Sequence, residues 1–264
     1  VATISGTYLD MIKEVVSISR SHGLPDIWQG CRQDKIKRNE EKIMKSIAID
    51  GPAGAGKSTI ARKVAEKLSF IYVDTGAMYR SMALYFLRNG ISSEEEEKIA
   101  AACPDIDVSI SYQNGEQQVI LNGENVNGLI RTEEVSMMTS NTSKYPVVRE
   151  KLLSLQRGLA EKENVIMDGR DIGTCVLPGA DVKIYLTASA QERARRRYKE
   201  QTERGLICDI KEIERDIIAR DEQDMNREVA PLRQAEDAVL VDSSDMNIDQ
   251  VVDEIIRIYQ EKTK

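Results

Sequence analysis

From Ser46 onward, short apolar runs of strand type alternate with stretches whose apolar residues recur at helical spacing. Ser-Ile-Ala-Ile-Asp at Ser46–Asp50 leads through a Gly-rich turn into Ile60, Val64 and Leu68, one face of a helix. Further strand-like runs lie at 70–73, 165–167, 182–186 and 239–241, and 248–259 closes the chain as an amphipathic helix with Val252, Ile255, Ile256 and Tyr259 on one side. Strands separated by helices predict an α/β fold: a three-layer α/β/α sandwich around a five-stranded, mainly parallel sheet. Residues 107–128 break the alternation. Val108, Ile110 and Tyr112 alternate with polar residues before Asn114-Gly115, and 119–121 precede Asn122-Gly123, so this stretch predicts a small inserted subdomain of antiparallel hairpins. The acidic run 94–97 after Ser92-Ser93 reads as a helix start.

The first 43 residues differ in character. They carry a short amphipathic pattern at 8–18, the sole tryptophan, Trp28, and a basic stretch through Lys35, Lys37, Arg38 and Lys42. No chemistry attaches to them, so 1–43 is read as an extension that is either a flexible arm or extraneous to the fold, and 44–264 as the catalytic domain.

Composition narrows the function classes. With 264 residues, 41% of them hydrophobic, the chain can bury a substantial core. A net charge of −7 argues against broad nucleic-acid or anionic-membrane binding, so an anionic ligand must meet a local cluster of cations. With no long apolar span and no secretory leader pattern, a cytoplasmic protein is expected. Cys31, Cys103, Cys175 and Cys208 are too scattered for a zinc knuckle or a redox pair. The only histidine, His22, lies in the extension, which removes the usual agent of acid-base catalysis.

The sharpest motif is Gly51-Pro-Ala-Gly-Ala-Gly-Lys57-Ser58, a phosphate-binding loop (P-loop) set between a predicted strand and a predicted helix. Its backbone at Gly51, Ala53, Gly54, Ala55 and Gly56, with Thr59 just beyond, suits a polyphosphate at a helix N-terminus. Lys57 can reach the outer phosphates, and the Ser58 hydroxyl suits Mg²⁺. Asp74-Thr75-Gly-Ala-Met-Tyr-Arg80 follows the second strand, and Asp168-Gly-Arg170-Asp171 ends the third, with Asp168 placed for the metal's outer shell. A base-reading Asn-Lys-x-Asp sequence of the GTPase type is missing, which argues against a switch module.

These segments, with Arg220-Asp-x-x-Asp224-x-x-Arg227 and the following Ala230-Pro-Leu, resemble the bacterial cytidylate kinase family in motif and order from about residue 44 to the end. The resemblance implies a P-loop nucleoside monophosphate kinase that moves the γ-phosphoryl group of ATP to CMP or dCMP. It implies a monophosphate-binding insert at about 76–145 and a helical lid at about 190–206. Arg80, Arg170 and Arg227 then correspond to acceptor-phosphate ligands, Thr75 to a further substrate contact, Arg220 and Asp224 to the ribose pair, and Ser140, Arg149 and Asp171 to cytosine contacts. Cytosine offers an N4 amino donor where uracil offers an acceptor, so an ionised Asp171 favours the former. Arg193 and either Arg196 or Arg197, in a run of arginines after Ser189 and Glu192 at capping-box spacing, correspond to lid contacts with the donor phosphates, with Arg193 and Arg196 taken as catalytic together with Lys57 and Asp168. The partners so implied are ATP, Mg²⁺ and CMP or dCMP, with neither nucleic acid nor membrane, and a monomer is expected. A kinase for UMP or another small phosphate acceptor is the runner-up.

Overall fold

The computed structural model describes residues 44–264. Residues 1–43, with the helical pattern at 8–18, Trp28 and His22, lie outside the described residues.

The main sheet consists of β1 (Ser46–Asp50), β2 (Ile71–Asp74), β6 (Val165–Gly169), β7 (Val182–Thr187) and β8 (Val239–Asp242), in spatial order β2-β6-β1-β7-β8. Every pairing in it is parallel. The five strand-like runs therefore form one sheet, and the alternation of side chains along each strand divides the core in two. Ile47, Ile49, Ile166, Ile184 and Val241 bury against α1 (Lys57–Leu68) and the C-terminal helix on one face. Ala48, Val73, Val165 and Met167 bury on the other face with α2 (Thr75–Arg88) and α5 (Pro146–Lys162). This is the three-layer arrangement expected for strands that are apolar on both faces.

Between α2 and α5 lie α3 (Glu96–Ala102), a three-stranded antiparallel sheet of β3 (Val108–Gln113), β4 (Glu116–Leu121) and β5 (Glu124–Asn125), and α4 (Glu133–Thr142). Asn114 and Asn122 take the left-handed backbone ahead of Gly115 and Gly123, which closes both hairpins with two-residue turns. The insert is not a separate body. Val119, Leu121, Val126 and Val135 share one buried cluster with Met78, Phe86 and Met167 of the main fold. Gln117 also accepts from the Asp74 amide at 2.8 Å and donates to the Asp74 carbonyl at 3.2 Å, tying the hairpin to the end of β2.

After β7 come α6 (Ala190–Glu203) and α7 (Ile210–Asn226), which pair over a small core of Ala194, Ile213 and Ile217, and α8 (Ile248–Lys262) ends the fold. Three local expectations need correction. The acidic run does not begin its helix at Ser92-Ser93: α3 starts at Glu96, and Glu95 turns back to accept from the Ser92 amide at 2.9 Å. Ser189 caps α6 through the Glu192 amide at 3.2 Å, but no reciprocal bond forms, because the Glu192 carboxylate is taken by Arg195 and Arg196. The buried stripe of α8 is Val251, Val252, Ile255 and Ile258, with Ile256 and Tyr259 at its margin. Among the described residues, no helix is long and apolar enough to cross a membrane.

Candidate active site

The carboxyl ends of β1, β2 and β6 meet where the chain passes to opposite sides of the sheet, the crevice in which such sheets bind ligands. Register sets Asp50 beside Gly169 and Asp74 beside Asp168, so the phosphate-loop strand and two acidic strand ends share one rim. A cleft of about 990 Å³ opens above it, walled by the loop, by α6 and by Arg80, Arg170 and Arg220.

The loop's shape is enforced sterically. At Gly51, φ is 152° and a Cβ would sit 1.9 Å from the Leu186 carbonyl oxygen, so only glycine lets the loop leave β1 this close to β7. At Gly56, φ of 84° turns the chain into α1, whose first turn carries no acid to compete for the helix N-terminus. Lys57 is buried and donates to the carbonyls of Gly51 at 2.7 Å and Pro52 at 2.8 Å, closing the loop on itself. Burial, with Arg170 nearby, pushes its ammonium well below the ordinary lysine range. Gly54, Ala55, Ser58 and Thr59 line the cleft with Lys57.

Ser58 donates to Asp168 at 2.8 Å, and Tyr72 donates to the other carboxylate oxygen at 3.0 Å. Burial, and secondarily the neighbouring Asp74, raises the Asp168 carboxyl above its usual range. Hydroxyl and carboxylate oxygens at the loop's edge are the hard donors that Mg²⁺ takes. Thr75 is buried, and its hydroxyl donates to the Asp168 carbonyl at 2.7 Å, so it braces β6.

The arginines and acids on the far side form two sets of ion pairs, one at Asp74 and one at Asp171 and Asp224. Arg80 reaches both Asp74 oxygens, at 3.1 and 3.0 Å, and Arg131 of the insert adds a contact at 3.2 Å. Arg170 donates through Nε to Asp224 at 2.8 Å, and Arg227 lies 3.7 Å from the same side chain and 3.6 Å from Asp171. Against the opposing pull of burial, Arg170 holds the Asp224 carboxyl below its usual range. Arg149 donates to Asp171 and to the Ser143 carbonyl, with its guanidinium 5.5 Å above the Tyr79 ring. Ser140 donates to Gln223 at 3.2 Å and borders a second hollow of about 300 Å³ with Asp224 and Arg227.

Positive charge is left over. Burial, then Arg170, lowers the Arg220 guanidinium to about 10, and burial, then Arg149, lowers that of Arg227. Arg80 Nε, Arg220 Nε and Arg227 Nη2 are buried donors with no hydrogen-bond partner among the described residues. Buried donors of this kind are costly, and Arg80 and Arg220 bring two of them to one cleft, as an anion site requires, while Arg227 borders the second hollow. The Ala230-Pro-Leu segment serves the set at Asp171 and Asp224: Ala230 holds a left-handed φ of 49°, and its carbonyl accepts from Arg227 Nε at 2.7 Å.

The α6 arginines expected to belong to a lid are placed differently from one another. Arg193 is buried, its Nε held by the Ala188 carbonyl and its Nη1 by the Ala53 carbonyl and Asp221. Arg196 is partly exposed on the cleft wall and held by Glu192 and Ser243. Arg220 and Asp224 form no ion pair with each other, because Asp224 is occupied by Arg170 and Arg227. Sequence reasoning did not single out Tyr72, Gln117, Arg131 or Asp221 as site residues. Only Asp221 stood inside a quoted motif, so spacing alone gave no signal for the rest.

The sequence model of the family described as Cytidylate kinase matches residues 47–261. A cytidylate kinase of Caldicellulosiruptor saccharolyticus is 50% identical over 214 residues, covering 81% of this chain and 95% of that protein. One from Carboxydothermus hydrogenoformans is also 50% identical, over 82% of this chain and 97% of the relative. One from Anoxybacillus flavithermus is 46% identical over 225 residues, 85% of this chain and 99% of the relative. With the phosphate loop, the paired arginines and this extent of similarity together, the chain belongs to the cytidylate kinase family.

Proposed function

We propose that this protein transfers the γ-phosphoryl group of ATP to CMP, giving ADP and CDP, and accepts dCMP in the same way. The observation that carries the reading is a pair of buried donors without hydrogen-bond partners, Arg80 Nε and Arg220 Nε, on residues that wall the same cleft as the phosphate loop, with a third such donor on Arg227 beside the second hollow. Two polyanions can then be held end to end, the donor at the loop and the acceptor phosphate among guanidiniums that offer planar forks of donors.

The chemistry needs little more than that placement. The acceptor is a phosphate whose second ionisation falls near pH ~6, so it is already anionic and needs no general base. Lys57, on the floor of the cleft, is placed to release the loop carbonyls and turn its ammonium toward the outer phosphates of ATP. Arg80 and Arg170 orient the acceptor phosphate, while Asp74 and Asp224 fix the two guanidiniums. Mg²⁺ would be held at Ser58 and, through its outer shell, at Asp168, where it would neutralise charge on the donor phosphates. Arg196 faces the cleft from α6 and supplies charge on the donor side.

Arg149 and Asp171 support the pyrimidine choice, since an arginine can donate to cytosine N3 and a carboxylate can accept from N4. Ser140 completes that end of the site from α4. A monomer in the cytoplasm completes the reading. The test is an ADP-release assay with ATP, Mg²⁺ and each of CMP, dCMP, UMP and AMP. ADP release that depends on CMP or dCMP, at a higher kcat/KM than with UMP or AMP, is expected. Acceptor-independent hydrolysis, or a preference for UMP, overturns the reading.

A further inference from the structure

Ala53, the third residue of the phosphate loop, is gripped on both sides of its backbone. Its amide donates to Asp221 Oδ1 at 3.1 Å, and its carbonyl accepts from Arg193 Nη1 at 2.8 Å. The same Arg193 nitrogen lies 2.6 Å from Asp221 Oδ2, which closes a ring of contacts between α6, α7 and the loop. Both side chains are more than nine-tenths buried, and Arg193 Nε is fixed by the Ala188 carbonyl at 2.9 Å. Gly54 sits directly beneath, where a Cβ would lie 3.5 Å from Arg193 Cβ and 3.9 Å from Ile217 Cδ1.

We infer that Asp221 is a positioning residue of the donor site: with Arg193 it clamps the two peptides that flank the Ala53 Cα and so sets the curvature of the phosphate loop before ATP arrives. A buried ion pair contributes little net stability, because the cost of desolvating two charges offsets their attraction. Its geometry is a better account of its presence. A loop of backbone amides binds phosphate well only if the loop is already curved to turn them inward, and this pair fixes two successive peptides of the loop from outside. Arg193 also neutralises Asp221, so the carboxylate can hold an amide next to a polyanion site without repelling the polyanion.

The inference rests on the donor site proposed above, and its test separates the two. In Asp221→Ala the Ala53 amide loses its acceptor and Arg193 its carboxylate; in Asp221→Asn one acceptor oxygen remains while the charge is lost. Each variant is compared with the full chain by kcat, by KM for ATP and for CMP separately, and by calorimetric binding of Mg·ATP without acceptor. In Asp221→Ala, KM and Kd for ATP should rise roughly tenfold or more, on the scale of lost hydrogen bonds to charged groups, with KM for CMP within about twofold. Asp221→Asn should fall between this and the wild type. A purely structural role would lower the melting temperature and the active fraction while leaving both KM values alone. Equal rises in both KM values, or unchanged ATP binding in folded Asp221→Asn, overturn the inference. If Asp221→Ala does not fold, Asp221→Asn decides alone by the same ATP-to-CMP comparison. Loss of ATP binding or of CDP formation in the wild type would instead sink the donor-site reading itself.

Discussion

Asp171 carries two guanidiniums on one buried carboxylate, with Arg149 bound to Oδ2 and Arg227 3.6 Å from Oδ1. Such a side chain cannot be changed silently, because removing one charge of a buried cluster leaves the others uncompensated. Asp171→Asn should therefore lower kcat/KM for every acceptor. The informative quantity is the ratio. An amide in place of the carboxylate can meet uracil O4 as well as cytosine N4, so the preference for CMP over UMP should narrow by roughly tenfold, the scale of one hydrogen bond to a charged group. Measured kcat/KM values for both nucleotides check this, and an unchanged ratio would mean that base choice lies elsewhere in the site.

Elements are joined at the site by single side chains, and Asp50 is the clearest case. It ends β1, and its two oxygens accept from the amides of Ile172 at 2.8 Å and Gly173 at 2.7 Å, bending the chain after β6 into a short π-helical turn at Ile172–Val176. Burial pushes its carboxyl from 3.8 up to about 6, against the pull of those two amides. A raised carboxyl favours the folded state fully below about pH 4, and that favour is lost as the pH rises to about 6, because the unfolded chain releases its proton first. Relative to Asp50→Asn, which does not titrate, the wild type should lose roughly 2 kcal/mol of stability between about pH 4.5 and pH 7. Urea midpoints of the two proteins at the two pH values measure it, and a constant difference would place the Asp50 carboxyl in the ordinary range. The example also shows what the sequence could and could not reveal. Strand and helix positions were legible because apolar periodicity is local, and the hairpin insert because Asn-Gly turns are. The phosphate loop was legible for the same reason. By contrast, Asp50 to Ile172, Gln117 to Asp74 and Asp221 to Ala53 join residues 43 to 168 positions apart, and no local pattern marks such a partner. Even the Arg220 and Asp224 spacing, favourable for a helical ion pair, gave way to the competing claims of Arg170 and Arg227.

In the whole described molecule, buried apolar material is unevenly shared. One large cluster joins the insert to α2, α5 and one face of the main sheet, and a second packs α1 and α8 on the other face. The paired helices α6 and α7 rest on Ala194, Ile213 and Ile217, with the apolar side chains of Leu206 and Ile207 exposed in the turn between them. Local opening follows the buried contacts that resist it, so this hairpin belongs to the low-stability end of the structure. That suits the proposed role of a cover, which would admit ATP and then exclude water from the transferring phosphoryl group. Its attachment is largely polar: to the loop through Arg193 and Asp221, and elsewhere through Asp224 to Arg170, Arg196 to Ser243 and Gln223 to Ser140. Amide exchange in 190–226 should therefore run faster than in α1 or α8 in the free protein, and slow on addition of Mg·ATP because the nucleotide bridges loop and lid arginines. Ile217→Ala, which removes part of the small core, should speed exchange in 190–226 while leaving α1 and α8 unchanged. Hydrogen exchange read by mass spectrometry on the two proteins, with and without nucleotide, decides it. If exchange in α6 and α7 matched that of α8 and did not respond to ATP, the hairpin would be a rigid wall of the cleft, and closure would have to come from the insert.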